Sequence, residues 1–105
     1  MKRIVLTRQA RRELGAAARW YEKQQEGLGR EFAEEIDAAL ERIAAKPTAS
    51  PLWREDRQYR KGGVRRFPYV IFFVERKKDV RIVAIAHKIE VAFLRTVPQA
   101  SRVRW

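Results

Sequence analysis

The side chains of this chain that could act on a phosphate are a single histidine and a set of arginines and lysines in its C-terminal half. Attack of a 2′-hydroxyl on a neighbouring phosphate needs a base for that hydroxyl, an acid for the leaving oxygen and cations for the growing charge. His87 could transfer a proton near neutral pH. These residues are candidates either for catalysis or for binding an anionic target: Arg60, Lys61, Arg65, Arg66, Arg81 and His87.

Some of these candidates have a second interpretation. A lone histidine at the end of an apolar strand is more often a structural residue, hydrogen-bonded to a neighbouring backbone group, than a catalyst. Arg65 and Arg66 are neighbours in a predicted strand, and consecutive strand side chains point to opposite faces. We therefore expect only one of the two arginines on the working surface, and the sequence does not choose between them.

Charge is the strongest signal in the composition. The chain has 105 residues, enough for one domain spanning residues 1–105, with 24 basic and 13 acidic residues and a net charge of +11. Residues 54–105 carry fourteen basic and five acidic residues, for +9, whereas residues 1–53 carry only +2. Such a field favours an acidic protein or a polyanion as partner, although a basic surface can also serve solubility alone.

Several classes of protein are disfavoured by the same composition. The chain has no cysteine and one histidine, so neither disulfides nor a zinc site rich in these residues can form, and we expect no metal or other cofactor. No apolar run approaches the roughly 20 residues that cross a bilayer, and the N-terminus lacks a cleavage pattern. A cytoplasmic protein is therefore expected.

The hydrophobic periodicity predicts an α+β fold. Apolar residues recur at helical spacing before and after Gly27-Leu28-Gly29, so two helices should form an antiparallel hairpin. Trp53 is expected to pack a loop on the core. The predicted elements are a strand over 2–6, helices over 8–26 and from residue 30 to Pro47, and strands over 58–67, 69–75 and 80–87. This β-α-α-β-β-β order predicts an antiparallel twisted sheet packed against the helical hairpin.

A set of fragments along residues 3 to 95 resembles the RelE/ParE superfamily of bacterial toxins, and its ParE-like branch more closely. The resemblance is carried by the order and spacing of Trp20-Tyr21-Glu22, Gly27-Leu28-Gly29, Phe32, Glu35-Ile36, Ala39-Leu40, Ile43, Pro47, Arg66-Phe67-Pro68-Tyr69-Val70-Ile71-Phe72 and Val83-Ala84-Ile85-Ala86-His87. It implies the same fold and the role of toxin in a type II toxin-antitoxin pair. The implied partner is an acidic antitoxin, encoded beside the toxin and bound to it in a hetero-oligomer.

Toxins with this fold act in two ways. RelE-like toxins cut messenger RNA in the ribosomal decoding site, and ParE-like toxins poison DNA gyrase without a known hydrolytic centre. RelE-like nucleases often place a tyrosine in the C-terminal segment, where this chain has Phe93, which cannot carry a proton. The resemblance therefore favours gyrase inhibition. One alternative is a ribosome-dependent endoribonuclease with His87, Arg81 and Arg65 as catalytic candidates, and another is an inactive or purely regulatory module that binds the antitoxin.

A general nucleic-acid-binding domain is a third hypothesis, since a small basic α+β domain can bind nucleic acid through charge alone. The aromatic residues argue against it. They lie in apolar runs such as Phe72-Phe73 and are not interleaved with basic residues, as platforms for base stacking would be.

Overall fold

The computed structural model describes the backbone of residues 1–94 and the side chains of residues 1–91. The predicted order of elements is confirmed, and a short helix follows the last strand. The elements are β1 (Arg3–Leu6), α1 (Arg8–Gln24), α2 (Leu28–Ala45), a 3-10 turn (Pro47–Ala49), β2 (Arg60–Gly63), β3 (Tyr69–Glu75), β4 (Asp79–His87) and α3 (Lys88–Leu94). None of these helices is both long and apolar enough to cross a membrane.

The two long helices form the predicted antiparallel hairpin, and its turn depends on one carboxylate. Gly27 adopts φ 87°, in the left-handed region that glycine tolerates without strain. The Glu22 carboxylate accepts hydrogen bonds from the backbone N–H of Gly27 at 3.0 Å and of Gly29 at 3.0 Å. Glu22 therefore supplies the side-chain acceptor that the first turn of α2 needs, because α2 has no side-chain cap of its own.

The strands form one four-stranded sheet in the order β1-β4-β3-β2. The predicted antiparallel arrangement is found for β2, β3 and β4. At the remaining edge the sheet differs from an antiparallel one, since β1 pairs with β4 in parallel, with Arg3 opposite Asp79. Parallel neighbours need a long crossover connection, and the helical hairpin lies in the segment that joins these two strands.

Both faces of the sheet are covered, as the apolar runs of β3 and β4 predict. The helical hairpin packs on one face, and the predicted core stripe of α2 is buried: Phe32, Ile36, Ala39, Leu40 and Ile43. On the opposite face, called the outer face below, Trp53 is 2% exposed and its ring centroid lies 4.7 Å from that of Phe72. The prediction that Trp53 packs its loop on the core is confirmed. Val91 of α3 joins the same cluster.

One extra residue in β4 changes which face its later side chains reach. Phe72 pairs with Ala84 and Phe73 pairs with Ile82, so Val83 has no partner in β3 and forms a bulge. Before the bulge, Ile82 packs in the helix-side cluster; after it, Ile85 does. The odd-numbered residues of β4 therefore lie on the outer face before the bulge and on the helix side after it.

The strand predicted over residues 58–67 is shorter in the structure and ends at Gly63. Arg65 and Arg66 therefore lie in the turn before β3, and the prediction that they occupy opposite faces of a strand is wrong. Arg66 adopts φ 71°, which no regular strand permits. At Gly62 the backbone of β2 lies close to α2, since an added Cβ would lie 3.1 Å from Cδ1 of Ile43.

Candidate functional site

His87 and Arg81, the two central candidates for RNA cleavage, lie on opposite faces of the sheet. Arg81 precedes the Val83 bulge, is exposed and lies between two residues of the helix-side core, so it belongs to the outer face. His87 follows the bulge and pairs with Tyr69, which packs against the helix-side core. The bulge thus separates two residues whose even spacing in a regular strand would put them on one face.

The other basic candidates are divided between two faces and a turn. Lys61 pairs with Phe72 and so belongs to the outer face, whereas Arg60 pairs with Phe73 and belongs to the helix side. The Arg60 guanidinium donates a hydrogen bond of 2.8 Å to the Ser50 carbonyl. This contact holds the loop after α2 against β2.

The turn arginines differ in what they contact. The Arg66 guanidinium lies 2.6 Å from Oε1 of Glu31 and 3.6 Å from Oε2 of Glu35, and these contacts join the turn to α2. Hydrogen bonding to Glu31 is the main reason that the Arg66 pKa lies above its usual value. Arg65 is exposed and makes no hydrogen bond or ion pair with the side chains that the structure describes. Arg65 is therefore the turn arginine that a partner can reach directly.

His87 lies in a groove between α1, the end of β4 and α3, which we call the α1–β4 groove. Its volume is about 580 Å³, and its polar and aromatic lining consists of Glu13, Trp20, Tyr21, Tyr69, His87 and Glu90. The His87 ring is 5.2 Å from the Tyr69 ring, nearly edge to face. Its Nδ1 accepts a hydrogen bond of 3.0 Å from the Ile89 backbone N–H, so this histidine is hydrogen-bonded to a neighbouring backbone group.

Glu13 closes a gap in the sheet at the groove. The pairing of β1 with β4 ends at Ile82, so the following residues of β4 have no strand on that side within residues 1–94. The Glu13 carboxylate accepts the Ile85 backbone N–H at 2.8 Å and a weaker hydrogen bond of 3.3 Å from the Gln9 amide. Burial raises the Glu13 pKa above its usual value, and the hydrogen bonds from Ile85 and Gln9 oppose that shift only in part.

Among the described side chains, the groove has groups able to transfer protons but no cation for a phosphate. Besides His87 it has the Tyr21 and Tyr69 phenols, whose pKa values are raised by burial, so the structure supplies the proton-transfer groups that sequence reasoning failed to find. No lysine or arginine lines the groove among the described side chains, and two carboxylates do. A phosphate would therefore meet negative charge there.

Sequence reasoning missed Glu13 and Trp20, although a signal for Glu13 exists. Glu13 lies three residues after Ala10 and four before Ala17, so it occupies the apolar stripe of α1. Phe93, which carried the argument against a nuclease, has a side chain outside the described ones. Within residues 1–94, no three acidic or histidine side chains come together in a way that could hold a metal ion.

Comparisons with known proteins agree with this architecture. Residues 4–91 match the model of the family described as ParE toxin of type II toxin-antitoxin system, parDE. A solved structure titled "Chromosomal ParDE TA system from P. aeruginosa" is similar in fold, with a TM-score of 0.71 and 19% sequence identity. The similarity covers 83% of this chain and 96% of that one. A comparison with curated proteins finds no significant match. Since the family model spans most of its length, the chain belongs to the ParE toxins of type II toxin-antitoxin systems.

Proposed function

We propose that this toxin inhibits DNA gyrase by binding to it, with no hydrolytic centre of its own. Membership in the ParE family supports this target, because ParE-like toxins act on gyrase and RelE-like toxins act on messenger RNA. The observation that carries the choice is the division of β4 at Val83. It separates Arg81 from His87, and His87 faces two carboxylates in place of phosphate-binding cations.

The surface that we assign to gyrase binding is formed by the basic candidates that remain available. Lys61, Arg65 and Arg81 make no side-chain hydrogen bond or ion pair among the described residues, and Arg65 and Arg81 are exposed. Arg60 and Arg66 are engaged by Ser50 and by Glu31 and Glu35, so in this proposal they support the neighbouring backbone. Free basic side chains steer association with an acidic surface.

The experiment measures supercoiling by purified gyrase with the purified toxin present. We expect inhibition by the unchanged chain and by His87→Ala. The triple variant Lys61→Gln, Arg65→Gln, Arg81→Gln should need at least about tenfold more protein for the same inhibition, because it loses charge at the proposed interface. The matched control is Arg8→Gln, Arg11→Gln, Arg19→Gln, which removes the same charge from exposed positions of α1.

Two results would contradict the proposal. One is the absence of inhibition by the unchanged, folded chain. The other is cleavage of messenger RNA in a translating extract by the unchanged chain, lost in His87→Ala or Arg81→Ala. If far-UV circular dichroism shows the fold of these variants unchanged, that result assigns the nuclease activity to this chain. Equal loss of supercoiling inhibition in both triple variants would remove the assigned surface while leaving gyrase as the target.

We further propose that a cognate, acidic antitoxin binds and neutralises the toxin in the cytoplasm. The support is the family, whose toxins belong to two-protein systems, and the charge of residues 54–105, which attracts acidic segments. A neutralising antitoxin need only cover the surface that contacts gyrase. The acidic part of the antitoxin is then expected on the outer face, near Lys61 and Arg81.

A further inference from the structure

The α1–β4 groove has a chemical character opposite to that of the rest of the molecule. The chain carries a net charge of +11, yet the acidic or basic side chains that line the groove, among those the structure describes, are Glu13 and Glu90. Between them the walls are mainly aromatic, with Trp20, Tyr21 and Tyr69. An acidic gyrase surface or an acidic antitoxin segment would be repelled here, so the groove calls for a different ligand from the one that fits the outer face.

The groove exposes a large aromatic side chain to solvent. Trp20 is 57% exposed at its rim, although its ring contacts Tyr21 edge to face with centroids 5.1 Å apart. Tryptophan and tyrosine are the residues that most often dominate the binding energy of protein interfaces. The faces of their rings also attract cations. A planar guanidinium suits such a site best, because it can stack on a ring while its N–H groups donate hydrogen bonds to a carboxylate.

The two carboxylates are not neutralised within the described part of the molecule. Among the described side chains, no lysine or arginine nitrogen lies within salt-bridge distance of Glu13 or Glu90, whereas Glu31 and Asp79 are paired. Arg12 attracts the Glu13 carboxylate only at longer range. Glu13 and Glu90 also repel each other electrostatically. A cation placed between them would relieve that repulsion and would gain two attractive interactions.

We propose that the α1–β4 groove is a docking site for an arginine side chain, carried on an apolar segment of a partner protein. The guanidinium lies between Glu13 and Glu90 and stacks on Trp20 or Tyr69, while the flanking apolar side chains contact the groove wall at Ala16. Arginine fits better than lysine because its flat fork can stack and donate hydrogen bonds at once. This inference does not depend on gyrase being the target.

The test uses the full chain and a synthetic probe, the capped pentapeptide Ala-Leu-Arg-Leu-Ala. Binding is followed by ¹⁵N–¹H NMR, where the Trp20 indole N–H reports on the groove and the buried Trp53 indole N–H is an internal control. We expect saturable shifts at Trp20, and binding at least about fivefold weaker for the same peptide with citrulline, which has the shape of arginine without its charge.

Variants of the toxin assign the effect to the groove. Glu90→Gln and Trp20→Ala change exposed side chains and should each weaken binding of the arginine peptide. Glu34→Gln removes an equal charge from an exposed position on α2 and should leave binding unchanged. A loss in all three variants would overturn the assignment, because it would reflect net charge rather than the groove.

Three further results would overturn the proposal. They are equal binding of the citrulline peptide, tighter binding of a peptide with glutamate at the central position, and the absence of saturable shifts at Trp20. Sedimentation measures a competing occupant: self-association that Trp20→Ala abolishes would assign the groove to a second copy of this chain. None of these results bears on inhibition of supercoiling, so the groove and the gyrase proposal fail separately.

Discussion

At the scale of single residues, the position of Glu13 favours its hydrogen bond to β4 but disfavours the charge on its carboxylate. Its carboxylate completes the hydrogen bonding of β4 by accepting the Ile85 N–H, and for this it must lie partly buried beside the sheet. Burial disfavours its charged form, and Glu90 adds repulsion, while the Ile85 N–H, Gln9 and Arg12 favour the charge. The net effect raises the Glu13 pKa above that of the unfolded chain.

This raised pKa predicts a pH dependence of stability. The folded state keeps the Glu13 proton to higher pH than the unfolded state does. Glu13 therefore contributes to stability below the unfolded pKa, and this contribution is lost as pH rises through the folded pKa. The wild type should therefore lose stability relative to Glu13→Gln as pH rises from below about 4.5. Urea unfolding of both chains across that range measures the difference.

The opposite trend would contradict the assignment of burial as the dominant cause. Taking the difference between the two chains cancels the other titrating groups, including Glu22 and Asp79, whose pKa values are lowered in the folded state. Tyr69, His87 and Glu90 face the same groove and are present in both chains, but Glu90 and Tyr69 interact electrostatically with Glu13 and so contribute to the difference. A difference that is flat with pH would mean that Glu13 titrates equally in the folded and unfolded states.

At the scale of elements, the helical hairpin is held at a distance that only glycine permits. A Cβ added at Gly29 would lie 2.5 Å from the Ala18 carbonyl oxygen of the facing helix. The atom in the way belongs to the backbone, so it cannot move aside as a flexible side chain would. Glu22, which accepts the Gly29 N–H, would also be 3.1 Å from the added carbon.

We therefore expect Gly29→Ala to lower the free energy of unfolding by about 1–3 kcal/mol, the usual cost of overpacking, even though alanine favours helix more than glycine does. Gly63→Ala is the matched control, since an added Cβ there meets nothing within 4 Å. That variant should stay within about 0.5 kcal/mol of the wild type. Equal unfolding midpoints in denaturant for the two variants would show that the helices can separate at little cost.

The elements were predictable where local pattern decides them. The strand expected over 69–75 is found at Tyr69–Glu75, and the stripe of α2 faces the core as its spacing predicts. Three features depend on long-range contacts and were not predicted. The Val83 bulge depends on the pairing of β4 with β3, and the parallel pairing of β1 with β4 depends on the crossover between them. The position of Arg65 depends on where β2 ends. The sequence named His87 and the basic candidates, but it predicted neither their division between two faces and a turn nor the contribution of Glu13 and Trp20 to the groove.

At the scale of the whole molecule, the uneven charge predicts how the toxin meets its antitoxin. Binding to the folded toxin alone should raise its thermal midpoint by about 10 °C or more when the antitoxin is present at 100 times its Kd. The complex should weaken with added salt, because exposed charges are screened. Thermal melts of the toxin with and without its cognate antitoxin, at two salt concentrations, measure both effects. Separate elution of the two proteins at micromolar concentration would contradict the partnership.

The parallel pairing of β1 with β4 also sets an order of events during synthesis. Arg3 leaves the ribosome early, but its partner Asp79 is made only after both helices and two further strands. The helical hairpin can form from contacts that are close in sequence, whereas the β1 edge must wait for a contact between distant parts of the chain. The surface around Arg81 is thus completed last. If this surface binds gyrase as proposed, the nascent toxin cannot bind there before almost all of its described chain has been translated.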